Sequence, residues 1–388
     1  MPGSKLFRCE VILAEIVVLI EYDNPGVGYV LQDESGAALR QHQEVFNSVE
    51  NLSPVYFALV MATGVVSIGA SDFGFPFLAA ALFGFNLAAY GVVACLTAFR
   101  LIRYPRRFFS DMTDHRLGPG FLTAVAGSCI LGTQSLLMVR SLAVATVFLA
   151  LGIVLWVGLT YTIFPAFTVK RDKPALEEGL TGAWLIAIVA TQSIAVLAAS
   201  IAGEWSQPLR LELNFFALSM WSWGGMLYIW IISLIFYRKT FLVFSPGDLT
   251  PPYWINMGAM AISTLAGVGL VQNTPDAPFL AALLPFLKGF TVFYWATATW
   301  WIPMLLVLEV WQHVIRRFPL RYDPLYWGAV FPLGMYAVAT KQMAGALELP
   351  FLVPLASAFF VAGLAAWTLA LIGLGWELLR ELVRPGVS

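Results

Sequence analysis

The fold is decided by residues 54–107, which read PVYFALVMATGVVSIGASDFGFPFLAAALFGFNLAAYGVVACLTAFRLIRYPRR. A short apolar segment, 54–71, is followed at once by a longer one, 76–99, and then by four arginines. A helix needs about 20 mostly apolar residues to cross the hydrocarbon core of a bilayer. The stretch therefore predicts two membrane-spanning helices that form a hairpin and lead into a basic loop.

The whole chain is likewise rich in apolar residues and poor in charged ones. Of its 388 residues, 59% are hydrophobic and 12% are charged, whereas an ordinary soluble domain has about 25% charged residues. So few charges cannot cover a soluble protein of this size. We therefore expect an all-α polytopic membrane protein and exclude disordered, nucleic-acid-binding and disulfide-stabilised classes. The three cysteines match no metal-binding spacing, and we expect no cofactor and no metal ion.

Eight further segments resemble the first two in length and composition. The ten predicted spans are 54–71, 76–99, 118–139, 142–164, 180–200, 213–236, 253–271, 278–308, 324–343 and 352–376. Fifteen Lys and Arg residues lie in the connectors and tail on one side of these spans, against two on the other. Because basic loops stay in the cytoplasm, we predict a multi-pass protein of the plasma (inner) membrane with both termini cytoplasmic.

The chain divides into three predicted regions. Residues 50–378 form the ten-helix transport domain, 1–49 a cytoplasmic N-terminal tail and 379–388 a cytoplasmic C-terminal tail. The first 50 residues contain eight acids and three bases, and their apolar stretch is too short to cross a bilayer. We expect this tail to be disordered or to reflect a start site assigned too far upstream.

Short and long spans alternate along the chain. The odd spans have about 18 to 22 residues and the even spans about 23 to 31, and the first three odd spans have evenly spaced midpoints at Ala62, Ala126 and Ala190. The odd spans have small or weakly polar residues at intervals of four, whereas the even spans are mostly Leu, Phe, Trp and Ile. This weak repeat predicts five helical hairpins, with an inner ring of odd helices around a central pore and an outer ring of even helices.

Two interpretations of the small and polar residues stay open. Small residues allow helix backbones to approach closely in lipid. Alternatively, the hydroxyl groups line a conduit, because they are costly in hydrocarbon unless they are bonded or hydrated. The candidate pore-lining residues are Thr63, Ser67, Ser128, Thr191, Ser263, Thr264 and Thr340.

Charged residues inside the spans are rare. The middle of each odd span has no Asp or Glu, and the deep cations are Lys288 and Lys341. These two lysines either extend to the interface or attract anions. A neutral path with a few cations and no acids would favour anions over cations.

A membrane-embedded enzyme or sensor would need clustered acids and histidines. Asp111, Asp114 and His115 are the one candidate group, in a connector that also contains five arginines. We interpret this connector as a topological anchor and expect that the protein is not an enzyme.

Three prolines lie inside apolar segments, where proline kinks a helix. They are Pro285, Pro303 and Pro332. Phe331 precedes the last of them, and its ring either packs against a neighbouring helix or closes the conduit as a hydrophobic constriction.

Four segments resemble the tellurite-resistance/C4-dicarboxylate transporter family, which includes the slow-type anion channels of plant guard cells. They are FALVMATGVVSI at 57–68, FFALSMWSWGGMLYIW at 215–230, LTPPYWINMGAMAISTLAG at 249–267 and YWGAVFPLGMYAVAT at 326–340. The resemblance runs from about residue 50 to 378 and implies ten helices, five of them around a pore. It also implies a homotrimer with one pore in each subunit, and a phenylalanine gate in the ninth helix, which matches Phe331 beside Pro332.

The resemblance leaves the substrate and the mechanism open. The family contains carriers of C4-dicarboxylates such as malate, proteins of tellurite resistance and passive channels for small anions. Since the middles of the odd spans have no carboxylates, we expect a passive anion pathway for C4-dicarboxylates, small inorganic anions or oxyanions. The alternative is a proton-coupled carrier that works by alternating access.

Overall fold

The computed structural model describes residues 49–319 and 323–383, and within these ranges it is helical with no β-strand. This confirms the all-α fold class. In chain order, the ten long helices are α1 (Phe57–Asp72), α2 (Pro76–Arg103), α3 (Thr123–Val139), α4 (Leu142–Val169), α5 (Ile186–Ala202), α6 (Leu209–Phe241), α7 (Ile255–Gln272), α8 (Leu284–Glu309), α9 (Trp327–Ala346) and α10 (Val353–Val383).

Odd and even helices differ in length as predicted. The odd helices have 16 to 20 residues and the even helices 26 to 33. A turn of 3₁₀ helix precedes each odd helix, for example Pro54–Tyr56 before α1 and Pro324–Tyr326 before α9. Prolines begin these two turns, where the missing N–H would have had no helical partner.

The odd helices form a closed inner ring. Helix α1 packs against α3, α3 against α5, α5 against α7, α7 against α9, and α9 against α1. Each even helix packs against the odd helix that precedes it. Between 72% and 94% of the apolar core of α1, α3, α5 and α7 is buried, against 17% to 44% in the even helices. The protein is therefore built from five hairpins, with the odd helices inside.

Nine helices in the described ranges are long and apolar enough to cross a membrane. The exception among the ten long helices is α9, which is more polar because it contains Lys341 and Gln342. Fourteen of its twenty residues are nevertheless buried, and it completes the inner ring. Ten crossings therefore stay a prediction, although each predicted span contains one of the ten long helices in whole or in large part.

One prediction about the prolines is wrong. We expected the span 278–308 to be one helix with a kink at Pro285, but a short helix, Pro278–Ala282, ends before it. Helix α8 begins afresh at Leu284, so Pro285 lies in its first turn, where proline is compatible with the helix. Pro303 and Pro332 lie inside α8 and α9, as predicted.

The predicted tails fall largely on residues that the structure does not describe. Residues 1–48 and 384–388 lie outside the described ranges. The boundaries of the three predicted regions therefore stay predictions.

Candidate functional site: the centre of the helix ring

The seven predicted pore-lining residues all lie on the inner helices and have no solvent-exposed surface. Three of them accept a hydrogen bond from a tryptophan of an outer helix. The indole Nε1 of Trp367 donates to Thr63 Oγ1 at 3.0 Å, that of Trp156 to Thr191 Oγ1 at 2.9 Å, and that of Trp295 to Thr340 Oγ1 at 3.0 Å.

Two of the serines also bond to an outer helix. Ser67 Oγ donates to the carbonyl of Ala79 in α2 at 2.8 Å, and a 2.9 Å hydrogen bond joins Ser128 Oγ to the hydroxyl of Tyr90. The remaining two, Ser263 and Thr264, donate to carbonyls one turn earlier in α7. At least five of the seven side chains are thus directed towards the outer helices. Whether any of the seven contacts a passing anion stays a prediction.

The opposite side of each inner helix faces the centre of the ring. Successive residues of an α-helix are about 100° apart, so residues two positions apart lie on nearly opposite sides. Val65 is two residues from Thr63, Ile130 two from Ser128, and Ser193 two from Thr191. Their exposed fractions are 1%, 4% and 2%. This inward side is therefore buried, with Val65 packed against Gly334 of α9 and Ile130 against Gly64 of α1.

Phe331 lies on the inward side of α9, because α7 and α8 occupy two of its other sides and Val65 of α1 packs against Gly334. Pro332 abuts α7 at Gly258, where an added Cβ would lie 2.8 Å from Pro332 Cγ. Tyr336 bonds to Thr299 of α8 at 2.7 Å. Thr340 also faces α8, and Phe331, nine residues earlier, lies about 180° from it. The Phe331 side chain is 1% exposed and belongs to the same buried cluster as Val65.

Lys341 is held at the end of the ring opposite the basic connectors. Its Nζ donates to the main-chain carbonyl of Asp72 and lies 4.2 Å from the ring centroid of Phe73. The neighbouring Gln342 donates Nε2 to the Asp72 carboxylate at 2.9 Å. These bonds fasten the end of α9 to the end of α1, where helix carbonyls concentrate negative potential. The Lys341 ammonium group is therefore bonded to Asp72 and packed on Phe73. Attraction of anions by Lys341 stays a prediction.

Lys288 lies on α8, an outer helix, and its side chain is exposed. The buried residues of α8 include Leu287 and Thr291, on the side that packs against α7. Of the two interpretations of Lys288, this position favours extension towards the membrane interface. A role in attracting anions stays a prediction.

The connector with Asp111, Asp114 and His115 forms an ion-paired anchor. Arg100, at the end of α2, is 1% exposed and pairs with the Asp111 carboxylate, which also lies 3.6 Å from Arg107. His115 stacks on Phe167 at 4.2 Å, and burial, followed by the nearby Lys170 ammonium, lowers the pKa of its imidazole. In the described ranges, no three His, Cys, Asp or Glu side chains form a metal-binding group. The arrangement fits the topological anchor that we predicted.

The sequence interpretation missed the aromatic donors of the outer helices. They are Tyr90, Trp156, Trp221, Trp295 and Trp367. The signal was available, because one such residue recurs at a nearly regular interval in each of the five even spans. The sequence analysis placed the Trp-rich even spans in the outer ring and gave none of their aromatic side chains a role.

The chain is similar to several known membrane proteins. Residues 51–374 match the family model SLAC1, described as voltage-dependent anion channel. An uncharacterized membrane protein of Mycobacterium tuberculosis is 38% identical over 162 residues, which are 42% of this chain and 82% of that protein. An uncharacterized transporter of Methanocaldococcus jannaschii is 25% identical over 301 residues, 75% of this chain and 84% of its own.

A third relative has a substrate in its name. The sulfite efflux pump SSU1 of Trichophyton rubrum is 22% identical over 377 residues, which cover 89% of this chain and 95% of the pump. The family match covers most of the chain. It includes α1 to α9 in full and all of α10 except its last residues. The resemblance seen in the sequence is thereby confirmed, and the chain belongs to the SLAC1 family of anion-transporting membrane proteins.

Proposed function

We propose that the protein moves small anions through the centre of its inner helix ring and that Phe331, supported by Pro332, closes this path at rest. The observation that supports the proposal is the closed ring of five inner helices, in which the Phe331 side chain is buried on the inward side of α9. A hydrophobic side chain across a narrow path is a known means of gating a pore.

The substrate is a small oxyanion, an inorganic anion such as chloride or nitrate, or a C4-dicarboxylate such as malate. Sulfite is the first anion to test, because the fungal sulfite efflux pump aligns with 89% of this chain. Malate and succinate are included because of the family resemblance to C4-dicarboxylate transporters. We further propose a homotrimer with one path in each subunit, in the plasma (inner) membrane with both termini cytoplasmic.

A proton-coupled carrier is the second candidate, and one residue favours it. Asp72 is the only acid within the bounds of the five inner helices, all of which lie in the described ranges. Its carboxylate accepts a hydrogen bond from Gln342 of α9 across the end of the ring. A carboxylate at this place could bind a proton and alter the contact between α1 and α9.

Anion uptake into proteoliposomes that contain the purified protein distinguishes the passive path from the proton-coupled carrier. The panel is sulfite, nitrate, chloride, malate and succinate, each measured with and without a pH gradient. A passive path predicts uptake that follows the electrochemical gradient of the anion and is accompanied by current. Uptake that requires a proton gradient would support the carrier, and no uptake of any of the five anions would refute both.

A further inference from the structure

Five aromatic side chains of the outer helices each bond to an inner helix. The pairs are Trp367–Thr63, Tyr90–Ser128, Trp156–Thr191, Trp221–Ser263 and Trp295–Thr340, with 2.8 to 3.0 Å between the bonded atoms. Four of the inner-helix partners are hydroxyl oxygens, and the fifth is the main-chain carbonyl of Ser263. We call these the inter-hairpin bonds.

The inter-hairpin bonds follow one rule of connectivity. Each joins the outer helix of one hairpin to the inner helix of the next: α2 to α3, α4 to α5, α6 to α7, α8 to α9 and, at the closure, α10 to α1. None lies within a hairpin. Every hairpin thus contributes one donor and one acceptor, and the last hairpin is bonded to the first.

The same rule is present in the sequence. The five donors are spaced almost evenly along the chain, one in the outer segment of each hairpin, in step with the even spacing of the first three inner segments. An incidental tryptophan bond would not recur once in every repeat. The recurrence indicates that the bond is part of the unit from which the ring is built.

The acceptors lie on the side of the inner helices that faces away from the centre. Thr191 bonds outward to Trp156, whereas Ser193, two residues later, faces the ring centre. Hydrogen bonds are directional, and hydrocarbon has no water to replace a lost partner. Each bond therefore holds both the distance of an inner helix from the centre and its rotation about its own axis.

We propose that the five aromatic donors are positioning residues of the anion path. By holding each inner helix against the neighbouring hairpin, they set the width of the path and determine which side chains face it. The proposal rests on the proposed anion path, and it adds residues that contact neither the anion nor the gate.

The test is the ratio of nitrate to chloride permeability, taken from reversal potentials in planar bilayers. This ratio does not depend on how much protein is folded or inserted. Trp156→Phe keeps the aromatic bulk and removes the N–H donor, and we expect it to change the ratio by about threefold, a shift in keeping with an average interhelical hydrogen bond in a membrane. Thr191→Val should shift the ratio similarly, the double variant no further, and Thr191→Ser should retain the wild-type ratio.

The matched control is Trp301→Phe. Trp301 Nε1 donates to the hydroxyl of Tyr228 at 2.8 Å, so the same kind of buried bond is lost, but between the outer helices α8 and α6. We expect its permeability ratio to equal that of the wild type. If Trp156→Phe yields no folded protein, Tyr90→Phe, which removes a single oxygen opposite Ser128, makes the same test.

The outcomes separate this proposal from the one on which it rests. A wild-type protein that transports none of the five anions of the flux panel refutes the proposed function itself. If it conducts a different pair of these anions, the permeability ratio is taken for that pair. A conducting wild type with unchanged ratios in Trp156→Phe, Thr191→Val and Tyr90→Phe overturns the positioning role alone. An equal shift in Trp301→Phe would also overturn it, because the inner ring would then have no special part.

Discussion

Truncation of Phe331 to alanine should open the anion path. When the phenyl ring of Phe331 moves aside to open the path, its burial is lost, which costs about 1.5–3 kcal/mol. The strained rotamer that it then adopts costs about 0.5–1.5 kcal/mol more. The full burial value applies, because the side chain is 1% exposed. The sum is about 2–4.5 kcal/mol, and since about 1.4 kcal/mol is a factor of ten, the wild type is open about once in 30 to 1,600.

Removal of the phenyl ring removes this cost, so anion flux should rise by about 30- to 1,600-fold. The measurement is nitrate or chloride flux from proteoliposomes, normalised to the amount of folded, reconstituted protein. Phe331→Leu should fall between the wild type and Phe331→Ala, because a smaller apolar group closes the path less completely. The matched control is Phe293→Ala on α8, where the side chain is 52% exposed on the outer surface and should not affect flux.

One result would refute the gate. Suppose that the wild type conducts and that folded Phe331→Ala conducts at the same rate. The phenyl ring of Phe331 then does not obstruct the path. Phe331 would then be a packing residue of α9, the other interpretation that the sequence allowed. A rise in both Phe331→Ala and Phe293→Ala would indicate leakage through a loosened bundle instead.

Two further substitutions test the packing around the path. Gly258→Val should abolish folding or flux, because even a Cβ there would lie 2.8 Å from Pro332 Cγ, whereas Gly345→Val, with no atom within 4 Å of its Cβ, should be tolerated; thermal stability in detergent and flux distinguish them. Arg100→Met should destabilise the protein by about 3–5 kcal/mol because it leaves the Asp111 carboxylate without its buried partner. The double variant with Asp111→Leu should recover much of this loss, and no recovery in thermal or denaturant unfolding would contradict the reasoning.

The hairpins and the ring could be predicted from the sequence because both depend on length and composition. The stretch 54–107 was enough to identify one short and one long helix, and repetition supplied the rest. The error at Pro285 is of another kind. A proline is compatible with the first turn of a helix and disruptive in its middle, so its effect depends on where the helix begins, which composition leaves uncertain by several residues.

The direction of the polar residues could not be predicted, because a stripe at intervals of four only places residues on the same face of a helix. Thr63 and Ser67 share a face as expected, but that face is turned to Trp367 and to the Ala79 carbonyl. An inner helix has two buried faces, one against the outer ring and one against the centre. Periodicity alone cannot distinguish them, since neither is exposed to lipid.

The physical chemistry of the bilayer explains why the hydroxyl groups face outward. A hydroxyl at the centre of a closed path has neither water nor a partner side chain, whereas one at the interface of two helices can be bonded permanently. The weakly polar residues therefore serve best where helices meet, and the outer helices supply indole donors to bond them. On this view, the polar residues that bond to the outer helices keep the ring in shape. The anion path is then formed by faces that are mostly Val, Ile, Leu and Phe, with the Ser193 hydroxyl as an exception.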